Sequence, residues 1–396
     1  VTRMLLLADA NLPAFSSLVA SLSAQLDRPL ELARFATRQP DPALLARADA
    51  LFIRSVTPID SALLQQAPQL RWVGTATIGT DHVDQQALAA AGIQFHSTPG
   101  VNANAVGDYV ASAVAAVSLE QGYLPPGEVA IVGAGNTGRA AGQRLTGLGL
   151  NVHYYDPPLL RAGTSDVAVH DDWQRVLASA VISCHVPLTH SGPDATHHLF
   201  DAAALAQLPS STLFINASRG AVVAEQALHD KLKQTPHWPV VLDVWEHEPR
   251  LDEKLLAKVK FATPHIAGHS FAGKLGGGWQ LLKKWLTDQG LALQLPAFDA
   301  LLQGFPQGQS QQLSAAQAPS WQQLAQWVLA MYDIRRDDAL LRTAPCTAAA
   351  FDQLRREYAV RPELRQLCID AGAWQYDQVW QQRMAALTFQ FDTRGE

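Results

Sequence analysis

Short apolar runs alternate with helical patterns along most of the chain. Residues 5–8 read as a buried strand, 14–26 repeat their apolar positions at helical spacing, and 50–53, 72–74 and 94–96 are further strands. Strands alternating with helices predict a parallel sheet covered on both faces. A second unit of the same rhythm begins with an Ala/Val-rich helix over 105–119 and the break Pro125-Pro126-Gly127. Its strands fall at 129–132, 152–155, 181–185, 213–216, 240–244 and 261–262. A helix over 279–286, after Gly276-Gly277-Gly278, closes this region. Residues 303–326, rich in Gln with Gly, Ser and Pro, read as a loosely structured connection to a compact third segment.

The strand at 129–132 runs into Gly133-Ala134-Gly135-Asn136-Thr137-Gly138, a G-x-G-x-x-G turn that opens a helix over 139–148. In that context Gly133 permits the tight turn, Gly135 lets the backbone approach a pyrophosphate, and Gly138 lets helix and strand pack closely. The anion would sit on the helix N-terminus, against Asn136 and Thr137. Asp156 stands 18 residues after Gly138, at the end of the next strand. A carboxylate there accepts from both ribose hydroxyls and repels a 2′-phosphate, so the expected cofactor is NAD rather than NADP. The fold class is α/β, with two doubly wound parallel-sheet (Rossmann-like) domains and a smaller C-terminal α+β domain.

Three further segments follow strands of the same unit: Asn216-Ala217-Ser218-Arg219-Gly220, Asp243 to Pro249, and Thr263-Pro264-His265-Ile266-Ala267-Gly268. Ligands of open α/β sheets bind outside the carboxyl ends of the strands, so these segments converge on one crevice. Arg219 suits a planar carboxylate. His265 can take a hydroxyl proton as hydride leaves, and Glu248 behind it can hold the tautomer and stabilise the imidazolium. Most of the 13 histidines must be ordinary. His197-His198 lies in a polar stretch and reads as surface. His265 and His269 have the spacing of a zinc pair on a helix, but Pro264 and Gly268 argue against a helix, and no metal site is expected. Neither a nucleophile elbow nor a P-loop lysine occurs.

Composition excludes several classes. Hydrophobic residues make up 48 % of the 396, enough for large cores, which excludes global disorder. The net charge of −6 gives no basic footprint for nucleic acid and no reason to expect a membrane surface as partner. Cys184, Cys346 and Cys368 lie far apart and form no disulfide framework, so the cytoplasm is the expected location. The apolar run at 5–8 is too short for a signal peptide or a bilayer span. Met4 is read as the natural first residue, with Val1–Arg3 a remnant ahead of it.

These motifs, in this order, resemble the D-isomer-specific 2-hydroxyacid dehydrogenases over about residues 1–290. The segments Asp9-Ala10-Asn11-Leu12-Pro13, Arg54-Ser55-Val56-Thr57, Gly74 to His82, and Tyr332-Asp333-Ile334-Arg335-Arg336-Asp337-Asp338 narrow the resemblance to one branch with an added tail. The resemblance implies a split substrate-binding domain (1–104 and 269–290), an inserted NAD-binding domain (105–268) and a C-terminal domain (291–396) that joins a homodimer. It makes Arg219, Glu248 and His265 catalytic. Ser55 and Thr77 become substrate contacts, and Asp156, Asp243 and Gly268 NAD contacts. The implied substrate is a phosphorylated 2-hydroxy acid. Its phosphate needs local cations. Arg54 is the nearest candidate, and Arg335, Arg336 and Arg355 are candidates from the tail unless they pair with Asp333, Asp337 and Asp338. The chain departs from the family at three points. His269 stands where a substrate-contacting Tyr is usual, Ala10 replaces an acidic residue, and Ala224-Glu225 falls where an Asp is usual. Two other readings are a dehydrogenase of another 2-hydroxy acid, such as 3-phospho-D-glycerate, and an NAD-sensing corepressor.

Overall fold

A computed structural model describes residues 4–26, 30–359 and 361–392; Val1–Arg3 lie outside them. The chain divides into two compact units, 1–102 with 271–309 and 103–270 with 310–396. Residues 291–309 therefore group with the first unit. From Ser310 on, the tail shares a unit with the nucleotide-type sheet instead of standing apart as a third body.

The first unit is a five-stranded parallel sheet in the order β2-β1-β3-β4-β5. Its strands are β1 (Leu5–Asp9), β2 (Glu31–Phe35), β3 (Ala50–Ile53), β4 (Trp72–Thr75) and β5 (Gln94–His96). β3, and β1 as far as Ala8, are apolar without interruption because both faces are covered. Leu6, Ala8, Phe52 and Trp72 pack under Phe15, Leu281 and Trp285, while Leu7, Leu51, Ile53 and Val73 pack under Leu45, Leu63 and Leu88. β2 was not foreseen: it is a half-exposed edge strand whose Glu-Leu-Ala-Arg-Phe sequence offers no apolar run. The closing helix spans Phe271–Asp288 and runs through Gly276–Gly278, where the sequence suggested a start only beyond them. These glycines are packing surface. A Cβ on Gly277 would stand 2.9 Å from the Ala76 Cβ, and one on Gly278 3.3 Å from Phe15.

The second unit carries a seven-stranded parallel sheet in the order β12-β11-β10-β9-β6-β7-β8. The strands are β6 (Glu128–Val132), β7 (Asn151–Tyr155), β8 (Val169–His170), β9 (Val181–Cys184), β10 (Leu213–Asn216), β11 (Val240–Leu242) and β12 (Phe261–Ala262). β6 lies between β7 and β9, so the strand order reverses there, where such sheets bind ligands. The helix Ala103–Gln121 is buried from Ala105 to Ser118, as its nearly uniform apolar sequence requires. Gly107 lets it approach the helix Asn136–Leu148, since a Cβ there would stand 2.9 Å from the Ala140 carbonyl. The tail helix Trp321–Met331 joins the same core through Leu324 and Val328.

Residues 303–326 are ordered, contrary to the sequence reading, and hold β13 (Gln311–Ala315). It pairs in parallel with β14 (Leu367–Ala371), which pairs with β15 (Gln390–Phe391). Polar, exposed β13 lacks an apolar pattern because its partner is distant in sequence. The tail also meets a buried ion pair between the helices Ala103–Gln121 and Asn136–Leu148, Arg144 Nε to Asp108 Oδ1 at 2.9 Å, with Leu364 N donating to Asp108 Oδ2 at 2.9 Å. Among the described residues no helix is long and apolar enough to cross a membrane.

Candidate active site

The glycine turn follows β6 as expected. Gly133 takes φ +98°, and a Cβ there would stand 2.8 Å from the His185 carbonyl oxygen; one on Gly138 would stand 1.9 Å from that of Gly133. Gly135 is the opposite case, with nothing within 4 Å of its Cβ position. No side chain caps the helix Asn136–Leu148 beginning after it. Open space beside uncapped first-turn N–H groups is what a pyrophosphate requires, so the residues fit a dinucleotide. Asp156 is fixed against this turn, its Oδ2 accepting from Ala134 N at 2.9 Å and its Oδ1 from Leu159 N at 3.0 Å.

After β10, Asn216 organises the next segment: its Oδ1 accepts from Ser218 N at 3.1 Å and Oγ at 2.8 Å, and its Nδ2 donates to the Arg219 carbonyl at 3.0 Å. Gly220 presses on the loop after β11, for a Cβ there would meet the Trp245 carbonyl carbon at 2.0 Å. Arg219 and the Glu248 loop are thus packed together.

Asp243, expected at the cofactor, has both carboxylate oxygens engaged by the loop that carries His265. Oδ1 accepts from Thr263 Oγ1 and Ile266 N, each at 2.7 Å, and Oδ2 from Ala267 N at 2.9 Å. His265 itself has φ +56°, uncommon for a residue with a side chain, and its N donates to the Asp243 carbonyl at 2.7 Å.

The result is a close pair, His265 Nδ1 to Glu248 Oε1 at 2.5 Å. Burial pushes the Glu248 carboxyl up. The hydrogen bond and charge of His265, the Trp245 N–H and the Arg355 charge outweigh it and hold the carboxyl below the usual range. An ionised carboxylate can only accept, so Nδ1 carries the hydrogen, and in the neutral imidazole that leaves Nε2 with a lone pair for a proton.

The tail reaches this loop through residues that sequence reasoning missed. Arg361 is buried, with its guanidinium 3.7 Å over the Tyr332 ring and Nη2 donating to the carbonyls of Ala105 and Ala267, each at 2.8 Å. A lone arginine carries no local signal for such a role. Tyr332 and Tyr358 both donate to Asp337 Oδ2, at 2.8 and 2.7 Å. His269 lies edge-on to the Tyr358 ring at 5.7 Å, which places it beside the same network. Asp338 Oδ1 accepts from Ala262 N at 2.8 Å, tying the tail to β12. Of the tail arginines, Arg335 pairs with Asp333 at 2.7 Å, as the domestic alternative required. Asp337 and Asp338, however, serve the tyrosines and Arg342 (2.9 Å). Arg355 is half-buried near the Phe351 ring at 5.9 Å.

In the first unit, Arg54 Nε lies 3.0 Å from Asp9 Oδ2, and Asp9 Oδ1 accepts from Asn11 N at 2.8 Å. Thr77 Oγ1 is 2.7 Å from Thr75 Oγ1 and donates to the Gly79 carbonyl at 2.9 Å; Ser55 is exposed after β3. His197 is exposed and His198 half-buried, as the polar stretch predicted; they stack at 3.9 Å, and His198 Nε2 is 2.6 Å from Glu246 Oε1. Candidate ligand atoms of these three lie within 4.8 Å of one another. Glu225, at the departure noted above, exchanges hydrogen bonds with Glu246, each backbone N meeting the other's carboxylate at 2.9 and 3.2 Å.

The D-isomer specific 2-hydroxyacid dehydrogenase NAD binding domain family matches residues 117–267, and a domain of unknown function matches 305–383. Similar in fold are an NAD+-bound 3-phosphoglycerate dehydrogenase of Entamoeba histolytica (TM-score 0.60, 18 % identity, 75 % of this chain and 100 % of that one) and a D-lactate dehydrogenase of Treponema pallidum (0.57, 21 %, 74 % and 100 %). Similar along nearly the whole chain are the erythronate-4-phosphate dehydrogenases of Idiomarina loihiensis (46 % identity, 90 % of each chain), Aeromonas hydrophila (40 %, 92 % and 94 %) and Pseudomonas aeruginosa (39 %, 93 % and 96 %). The chain belongs to the D-isomer-specific 2-hydroxyacid dehydrogenase family and, within it, to the erythronate-4-phosphate dehydrogenases. It is an NAD-dependent oxidoreductase.

Proposed function

We propose that the chain oxidises the C2 hydroxyl of 4-phospho-D-erythronate to (R)-3-hydroxy-2-oxo-4-phosphooxybutanoate, a step of pyridoxal 5′-phosphate (vitamin B6) biosynthesis. The observation that carries this is the His265–Glu248 pair at 2.5 Å, in a chain whose named relatives align over the tail as well as the dehydrogenase core. NAD supplies the hydride acceptor. His265 Nε2 takes the hydroxyl proton as the C2–H electron pair leaves with its hydrogen, and C2 becomes a carbonyl. The imidazolium stays opposite ionised Glu248, a counter-charge already in place before reaction. Arg219 grips the substrate carboxylate, and Ser55, Thr77, Arg54 and His269 contact the remainder. Gly133, Gly135, Asn136, Thr137 and Gly138 hold the pyrophosphate, Asp156 the ribose, and Asp243 and Gly268 the nicotinamide side.

The same reading makes the enzyme a cytoplasmic homodimer joined through the tail. Tyr376 and Val379 on the tail are 65 % and 62 % exposed, apolar surface that a second copy would cover. Light scattering on the purified chain and on Val379→Glu checks this, with a shift toward monomer expected in the variant. The function is tested by following NADH formation with 4-phospho-D-erythronate, 3-phospho-D-glycerate and D-erythronate. The highest kcat/KM should fall on the first. A higher value on 3-phospho-D-glycerate would overturn the substrate, and no turnover of any acid by NAD-binding protein would overturn the enzymatic reading.

A further inference from the structure

A phosphorylated four-carbon acid carries close to two negative charges at one end. A chain of net charge −6 must gather cations locally to hold it. Two meet in the first unit. Arg54 follows β3, and Lys274 lies in the opening turn of the helix Phe271–Asp288. The glycines just after Lys274 seat that helix on the carboxyl end of the sheet, because Gly277 touches Ala76 immediately past β4 and Gly278 faces Phe15. Lys274 is thereby held at the same sheet end as Arg54. Ligands of open parallel sheets bind at this end.

Neither cation is well satisfied. Lys274 is half-buried, yet among the described residues it makes no hydrogen bond and no ion pair. Burial first, and the Arg54 charge second, hold its ammonium below the ordinary lysine range. Arg54 Nε is 3.0 Å from Asp9 Oδ2 but is not aligned to donate to it. Asp9 also accepts from Asn11, so the one carboxylate beside Arg54 is shared with a second donor. Burying an ammonium without a partner beside a like charge is unfavourable. A phosphate dianion reverses both penalties, supplying acceptors and opposite charge.

We infer that Lys274 and Arg54 form the seat of the substrate's phosphate group, with Lys274 its specificity-determining residue. The inference rests on the substrate proposed above. Arg54→Ala strands Asp9, so Lys274 gives the cleaner test. Lys274→Gln, Lys274→Met and Lys274→Arg should be compared with wild type for kcat/KM on 4-phospho-D-erythronate and on D-erythronate, and for thermal stabilisation by inorganic phosphate. Losing one charge-assisted contact should lower kcat/KM on the phosphorylated acid about 10- to 100-fold, mainly through KM. The loss on D-erythronate should be far smaller, Lys274→Arg should recover much of the activity, and phosphate should stabilise wild type more than Lys274→Gln. The Gln and Met variants should melt no lower than wild type, since no protein partner is lost. Equal losses on both acids, or unchanged kinetics, would overturn the assignment. Should wild type prefer 3-phospho-D-glycerate, the proposed substrate fails; a phosphate-selective loss on that acid in Lys274→Gln would still uphold the seat, and its absence would sink both.

Discussion

Arg361→Met cuts the link between the tail and the loop that carries His265. The guanidinium makes two hydrogen bonds of 2.8 Å to buried carbonyls and stacks 3.7 Å over Tyr332. Hydrogen bonds from a charged donor contribute about 1.5–3 kcal/mol each, and a desolvated cation–π contact about 2 kcal/mol. Against them stand Nε and Nη1, buried without hydrogen-bond partners among the described residues. Each costs about 1–3 kcal/mol, and that cost disappears with the guanidinium. Methionine keeps much of the apolar stem contact. The balance is a loss of about 2–4 kcal/mol, hence a fall in Tm of roughly 5–15 °C for a unit of this size. The Ala267 carbonyl is also released, so kcat should fall at temperatures where the variant is fully folded. Thermal unfolding followed by tryptophan fluorescence, paired with kcat on the folded fraction, measures both. A Tm within a degree or two of wild type with unchanged kcat would refute the view that the tail anchors the catalytic loop.

His265→Ala should lower kcat about 10²- to 10⁴-fold while NADH still binds by fluorescence titration, because no other group takes the proton. Asp156→Ala should relax the preference for NAD over NADP in kcat/KM. It should also cost about 1 kcal/mol of stability, since Oδ1 caps the helix Pro157–Ala162. His153 is held down to about 4 by burial, then by the charges of Arg175 and His170. The unfolded chain protonates it from about 6.5 downward, so stability should fall as pH drops from about 6.5 to 4. His153→Gln should flatten that part of the stability–pH curve; an unchanged slope would place the acid sensitivity elsewhere.

The strand–helix rhythm and the glycine turn were legible because each is local. Buried strands such as β3, and β1 up to its terminal Asp9, are apolar runs, and a G-x-G-x-x-G turn declares its strain within six residues. β2 and β13 were not legible, since neither has an apolar run: β2 is a half-exposed edge strand on β1, and β13 a mostly exposed strand that exists through pairing with residues far along the chain. The glycine triplet misled for a related reason. Read locally it breaks a helix, whereas in the fold it is the surface on which the helix meets Ala76 and Phe15. Lys274 and Arg361 were invisible for the same cause, as neither has a partner near in sequence.

The tail also bears on how the catalytic histidine keeps its backbone conformation. A residue with a side chain holds φ near +56° only where its surroundings over-determine it. Asp243 supplies one set of restraints, binding Thr263, Ile266 and Ala267 through a single carboxylate. Arg361 supplies the other, taking the Ala267 carbonyl on the residue whose N–H Asp243 already holds. Ala267 is therefore gripped at both ends of one residue, by the sheet through Asp243 and by the tail through Arg361. The dehydrogenase NAD-binding family model ends at residue 267 and a separate model covers 305–383, so the tail is an addition to the family's frame. That addition places an otherwise costly buried guanidinium where it fixes the loop two residues beyond the base. A tail serving association alone would have no use for Arg361 at that position.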